Sequence, residues 1–387
     1  MDLKEEFVIQ AQKGTRSFSS LCREYGISRK TGYKWLGRFE ENGFTGLENQ
    51  SRHPTSSPQR LSEEEVCKLV RLKQDHTRWG PKKIHALYLR TAAEAMSLSS
   101  VKRVLKASGF VRPKRRPRQA PVQRLNERHE ALAANDIWSV DFKGWWYAKD
   151  RARCEPLTVR DEFSCYILEA RMLASTGTEA VQQAFERLFT VYGLPRAIRS
   201  DNGSPFASAR GLRGLTRLSV WWVSLGIEVE RIDPGKPAQN GGHERMHRDL
   251  KDDIQAQITG SSTDIQRSLD LWREEFNHVR PHEKLGMKSP ADVYRKSDRS
   301  YTASAIEIEY PLYYRTRVIS KDGYLKLDGM LIYLSEALTG VTVGVTDLNE
   351  SFYAVYFDYI ELGLIERETY SFKPFSQKQI PPKTVGG

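Results

Sequence analysis

Apolar residues in the first fifty positions recur at intervals of three and four, so this stretch reads as short helices rather than strands. In FSSLCREYGISRKTGYKWLGRF, a polar start at Ser19–Ser20 opens a helix with Leu21 and Tyr25 on one face, and Gly26 stops it. Ser28 caps the next helix, whose inner face takes Ile27, Tyr33 and Leu36, with Trp35 and Phe39. Arg29, Lys30, Lys34 and Arg38 are left outside. A helix, a Gly turn and a capped basic helix form a helix-turn-helix, whose second helix enters the major groove. The plainer alternative is a helical hairpin with exposed cations, but here the cations fall on the face that packing leaves free.

Residues 51–60 are rich in Pro and Ser and read as a linker. A second helix-turn-helix-like unit is expected over 61–111. It has a Ser62–Glu65 capping box, a helix to about His76, a turn at Trp79–Gly80 and a helix from Pro81 through Leu89. A third helix, capped by Ser99 or Ser100 and ended by Gly109, carries Lys102, Arg103 and Lys106. Residues 112–125 form a Pro-stiffened basic connector in which Arg112, Lys114, Arg115, Arg116 and Arg118 suit a phosphate backbone. Over 126–300 the texture is mixed α/β: three strands (the last two a hairpin), a helix to Tyr192, a strand at RAIRSDNG, a helix at SVWWVSLG and a strand at IEVERI. PGKPAQNGG then reads as a loop and HERMHRDLKDDI as a helix. Residues 301–387 alternate in strand fashion, with Asp328–Gly329 as a hairpin signal, and suggest a small β-barrel.

Charge sharpens this division. The 387 residues carry a net +11, yet residues 1–125 alone carry +14, 126–300 are neutral and 301–387 carry −3. Such asymmetry points to a nucleic-acid-binding end joined to something else. No apolar run approaches the roughly 20 residues of a membrane helix, and the start lacks the basic and apolar blocks of a signal peptide. Cys22, Cys67, Cys154 and Cys165 lie far apart with no C-x-x-C pair, which argues against a disulfide scaffold or a cysteine zinc site. A cytoplasmic, nucleoid-associated protein with no membrane partner is expected.

Three acids stand out by context. Asp141 sits between Val140 and Phe142 in an apolar strand, where a carboxylate is costly without a partner or a metal. Asp201 follows a strand in SDNG, and Glu244 opens a helix after a Gly-rich loop. Carboxylates gathered from two strands and a helix end make an oxygen-only site suited to Mg2+. Taken singly, each acid is an ordinary surface or turn carboxylate; the patterned neighbourhood of all three is the signal.

IWSVDFKG, RAIRSDNGSPF and PGKPAQNGGHERMHRDLK resemble the three acidic motifs of transposases and integrases of the retroviral-integrase superfamily. The order of domains resembles bacterial insertion-sequence transposases, and GLRGLTRLSVWWVSLGIEVERI looks most like the branch numbered four-eight-one. The resemblance implies an RNase H-like core in which Asp141, Asp201 and Glu244 form a metal-binding catalytic triad holding two Mg2+ ions, with Mn2+ as a substitute. It further implies active-site loops shaped by Asn202, Gly203, Asn240 and Gly241. Arg248 and Lys251, on the helical face of Glu244, are placed to hold phosphates or to neutralise it. Many members have 35 residues between the second Asp and the Glu, a spacing that would land here on Pro237. In this chain 42 intervene, and the extra length around Ala207–Leu218 is expected to loop out.

The implied function is a transposase that binds terminal inverted repeats in double-stranded DNA, cleaves the 3′ ends and joins them to target DNA as a homo-oligomer. One rival is a helix-turn-helix regulator with an inactive nuclease-like domain. Another arises because His243–Glu244–Arg245–Met246–His247 matches H-E-x-x-H, a zinc-peptidase signature. Five positions with three fixed make a weak signal, and those histidines are expected to cap, pack or touch DNA.

Overall fold

The computed structural model describes residues 2–49, 61–92, 95–111, 130–232, 241–255, 260–303 and 308–375, and the chain divides into two compact units, Met1–Val66 and Cys67–Gly387. The first contains α1 (Leu3–Lys13), α2 (Phe18–Glu24), α3 (Arg29–Asn42) and a 3-10 turn over Gly43–Leu47. Ser17 caps α2, slightly ahead of the expected Ser19–Ser20 start, and Ser28 caps α3 as expected. Phe7, Val8, Leu21, Cys22 and Leu47 form the core, with Phe18, Tyr25 and Trp35 packed edge-on around the Phe7 ring.

Tyr33 departs from its expected inward position. It is 61% exposed and stacks on Phe18 with ring centroids 4.2 Å apart. Gly32 takes the inward place instead, because a Cβ there would lie 2.8 Å from Cys22 Sγ and 2.9 Å from Phe7 Cζ. The close approach of α3 to α1 and α2 thus turns the apolar stripe by one residue.

In α4 (Glu63–Asp75), the capping box has Glu65 accepting from both Ser62 donors at 2.9 Å. Pro81 opens α5 (Pro81–Thr91). The cap of α6 (Leu98–Ala107) is Ser97, not Ser99 or Ser100. Helices α4 and α5 are tied to residues 275–283 by His76–Glu275 at 3.0 Å, Lys82–Glu283 at 2.8 Å and an Arg90 bond to the Val279 carbonyl at 2.9 Å.

The central sheet comprises β1 (Ile137–Phe142), β4 (Leu157–Asp161), β5 (Ile167–Arg171), β6 (Ala197–Ser200) and β7 (Glu228–Arg231), in the order β5-β4-β1-β6-β7. A short ribbon, β2 (Trp146–Tyr147) with β3 (Arg153–Cys154), lies between β1 and β4 in sequence. The β4–β5 hairpin and the β1–β4 pair are antiparallel, whereas β6 and β7 join in parallel. Helices α7 (Thr178–Tyr192) and α8 (Arg217–Ser224) cover Trp138, Val140, Leu157 and Val159 on one face. Alternation sends Ser139, Asp141 and Thr158 to the other face, where α9 (Gly241–Leu250) and α10 (Ser262–Glu274) pack. The segment Ala207–Leu218 does not loop out. Leu215 and Leu218 are buried in the core, and Arg231 donates to the Arg213 and Gly214 carbonyls at 2.8 Å.

After α11 (Pro290–Val293), the chain is β-rich: β8 (Arg315–Val318), β9 (Tyr324–Leu327), β10 (Met330–Tyr333), β11 (Thr342–Asp347), β12 (Phe352–Phe357), β13 (Ile360–Glu366) and β14 (Phe372–Pro374). Five of these form an antiparallel sheet ordered β14-β13-β12-β11-β8, and β9 pairs with β10 across an Asp328–Gly329 turn of left-handed residues. This module shares one continuous apolar core with α7, α8 and the central sheet, and Tyr359 accepts the Val229 N–H at 3.1 Å.

Gly193 ends α7 at φ +79° and ψ −177°, a region essentially confined to glycine, and a Cβ there would lie 2.8 Å from the Ser297 and Arg299 carbonyls. Gly193→Ala is expected to destabilise the second unit by about 2 kcal/mol. Urea unfolding checks this; an unchanged midpoint contradicts it.

Candidate active site

β1 and β6 run in parallel with Ile137 beside Ala197 and Ser139 beside Arg199, and continuing that register sets Asp141 level with Asp201. Asp201 lies just past the end of β6, and its Oδ1 accepts the Gly203 N–H at 3.1 Å. Asn202 donates to the Ile232 carbonyl at 2.6 Å, pinning this loop to the end of β7. Gly203 matters for closeness, since a Cβ there would stand 3.0 Å from Asp201 Oδ2. Glu244 is exposed in the first turn of α9, where the helix dipole favours a carboxylate.

Buried polar contacts fix α9 on the sheet. Thr158 donates to the Asp141 carbonyl at 2.9 Å, and its oxygen lies 2.7 Å from Nε2 of both His243 and His247. Ser139 lies 2.9 Å from His243 Nδ1 and donates to Glu162 at 2.6 Å. Burial pushes His243 well below the usual histidine range and His247 down to about 3, so both rings are neutral. Both nitrogens of the fully buried His243 lie within hydrogen-bond distance of hydroxyls, those of Ser139 and Thr158, so the ring is packed against the sheet. The H-E-x-x-H match is therefore a packing device. Ser139 and Thr158 were not singled out from the sequence; their signal was the alternation that puts them on the face of Asp141.

Asp141 is pushed up to about 7, first by burial and then by the charge of Asp201, with Glu244 adding to the effect. Lys143, a second residue the sequence reading passed over, opposes that shift. Its own ammonium is held down by burial and by Lys251. Among the described residues, no three His, Cys, Asp or Glu side chains are gathered closely enough to hold an ion as they stand. The donor chemistry nevertheless suits a hard cation: an oxygen-only set whose mutual repulsion is felt at Asp141.

Among the expected DNA contacts, Arg29, Lys30 and Lys34 are exposed on α3 and Arg38 is half-buried. Lys102, Arg103 and Lys106 form an exposed stripe on α6, and Arg248 and Lys251 are exposed at and beyond the end of α9. Gly241 is the first residue of α9, whereas Asn240 and the Arg112–Arg118 run lie outside the described residues.

Family comparisons match four segments of the chain. Integrase core domain models match residues 131–237 and 225–290, a helix-turn-helix domain matches 3–55 and a homeodomain-like domain matches 31–105. The chain is 26% identical over 261 residues to the insertion element IS407 uncharacterized 31.7 kDa protein of Burkholderia multivorans, covering 67% of this chain and 91% of that protein. It is 29% identical over 264 residues to the insertion element IS476 uncharacterized 39.2 kDa protein of Xanthomonas euvesicatoria, covering 67% of this chain and 72% of that one. Among solved structures, the HTLV-2 integrase catalytic core domain in complex with magnesium aligns with a TM-score of 0.34 at 16% identity, covering 43% of this chain and all of that one. No helix among the described residues is long and apolar enough to cross a membrane. Helix-turn-helix domains ahead of an integrase core, together with insertion-element proteins as relatives, give this chain the domain content of a DNA transposase or integrase.

Proposed function

We propose that the chain binds the terminal inverted repeats of an insertion sequence, cleaves the 3′ ends and joins them to target DNA, working as a homo-oligomer because two ends must be handled together. The observation that carries this reading is the β1–β6 register, which sets Asp141 level with Asp201, where burial and then the charge of Asp201 push Asp141 up to about 7. Asp141, Asp201 and Glu244 would hold two Mg2+ ions, or Mn2+ in their place, which when bound supply positive charge at the attacking and leaving oxygens of a phosphodiester. The rest is the work of the chain. The β1–β6 register aligns the two aspartates, and Thr158 with His243 ties α9, which carries Glu244, to the sheet beside Asp141. Lys143, Arg248 and Lys251 orient the scissile strand through its phosphates. Arg29, Lys30 and Lys34 read base edges, while the Lys102–Lys106 stripe and the Arg112–Arg118 connector grip the backbone. Three acids at the triad positions favour this over a regulator with an inactive nuclease-like domain.

Asp141→Asn, Asp201→Asn and Glu244→Gln each keep size and remove a charge. Each is expected to abolish cleavage and joining of labelled terminal DNA in Mg2+ while leaving binding of that DNA near wild type; near-normal cleavage by Glu244→Gln would remove it from the triad.

The elevated Asp141 also predicts a pH effect. A carboxyl that is harder to ionise folded than unfolded lowers stability as pH rises from about 4 to about 7, and the loss persists above that. In chelator, Asp141→Asn should therefore melt higher than wild type at pH 8 and near wild type at pH 4. Melting curves at the two pH values test this, and equal curves at pH 8 contradict it.

The DNA contacts should separate by salt. Neutralising connector residues is expected to weaken binding to every sequence and flatten the salt dependence by about 0.9 log unit per lost phosphate contact. Replacing a base-reading residue of α3 should cost about 1–3 kcal/mol, mainly at one position of the repeat. Competition against scrambled DNA at two salt concentrations reads both, and proportional losses in both sets would contradict the division.

A further inference from the structure

A cavity of about 640 Å³ opens between α5, the start of α9 and residues 276–284. None of Asp141, Asp201 or Glu244 lines it, although Gly241 of the expected active-site loop does. Its walls are rich in cations, and pairing accounts for only some of them. Asp249 is taken by Arg280 at 2.6 Å and Glu283 by Lys82 at 2.8 Å. Lys284 is spent on the Glu162 and Phe163 carbonyls at 2.7 and 3.3 Å. Glu162 already receives Ser139 at 2.6 Å and Arg160 at 3.4 Å.

Lys83 and Arg245 are left with no ion pair among the described residues. The Lys83 ammonium lies over the Trp79 ring at 5.9 Å, and burial together with Arg280 holds it down to about 8. At the floor, Arg160 is 6% exposed and its Nε has no hydrogen-bond partner. Its guanidinium lies against the first turn of α9, where a Cβ on Gly242 would stand 2.6 Å from both terminal nitrogens. Arg280 Nε is likewise buried and unsatisfied. Buried donors of this kind call for an acceptor. An arginine facing a helix N-terminus sets two positive ends together, and an anion between them satisfies both.

We propose that this cavity binds a phosphate group, carried by a DNA strand or by a small phosphate compound, with Lys83 and Arg245 as its charged partners and Arg160 at its floor. A phosphate offers several acceptor oxygens and enough charge to offset the two unpaired cations. The cavity is of a size that admits a nucleotide unit. Its position between α5 and the integrase core means that the occupant would bridge them. The inference does not depend on the catalytic triad.

Thermal unfolding of the full chain in millimolar inorganic phosphate, against chloride at equal ionic strength, tests it. The wild-type midpoint should rise in phosphate, and Lys83→Met and Arg245→Gln should each lose at least half of that rise. Lys83→Met keeps the aliphatic stem on Trp79, and Arg245 is exposed, so the second variant carries the test if the first folds poorly. No rise in wild type, or an equal rise in both variants, would overturn the proposal. Ethylation interference on terminal DNA then identifies the source. A phosphate whose ethylation weakens wild-type binding but not that of Lys83→Met assigns the site to DNA. With the phosphate-dependent rise lost in the variants, the absence of any such position assigns it to a small phosphate compound.

Discussion

The candidate site depends on a buried carboxyl, Asp141, whose charged form is disfavoured first by burial and then by the neighbouring Asp201. Left to itself, the arrangement around Asp141 would relax by moving an acid away or keeping it protonated. The fold prevents the first escape by placing one aspartate on β1 and the other just beyond the end of its parallel neighbour β6. It anchors the third element through the Thr158 hydroxyl, which touches the Asp141 carbonyl and both histidines of α9. The β1–β6 register and the α9 anchor are thus two sides of one constraint, and the second escape is what raises Asp141.

Much of this was legible before any coordinates. The helical spacing of the first fifty residues, the Ser62–Glu65 box, the β4–β5 hairpin and the Asp328–Gly329 turn all follow from local chemistry, and the structure contains each of them. The misses have a common origin in contacts distant in sequence. Tyr33 turned outward because Gly32 has to meet Phe7 and Cys22 from other helices. Ala207–Leu218 packed inward because Arg231, on a strand beyond α8, ties down its carbonyls. Within the site, the acids were legible from their setting, since an aspartate in an apolar strand is conspicuous. Ser139 and Thr158 were not, because a hydroxyl in a strand is ordinary until its partner across the sheet is known.

Charge distribution also looks different once folded. The basic excess of the first third predicted a nucleic-acid-binding end, and the exposed cations of α3 and α6 agree with that. The neutral middle third, however, is neutral only in sum. Asp201 and Glu244 act on Asp141, whereas Arg160, Arg245 and Arg280 line a cavity on another side of α9. A net charge taken over a span of sequence hides such separation, because one helix presents different residues to different neighbours.

The apolar core shared by the central sheet and the C-terminal strands bears on the order in which the protein matures during synthesis. The first unit has its own core and can close as soon as it leaves the ribosome. The central sheet cannot finish so early. Val229 and its neighbours pack with Val345, Val355 and Ile365, so the core stays open until the ribosome has passed those residues. A nascent chain therefore has its first helix-turn-helix folded well before its candidate active site is complete. Premature termination within the last strands would release a chain whose first unit is closed while the core of its second unit is still open.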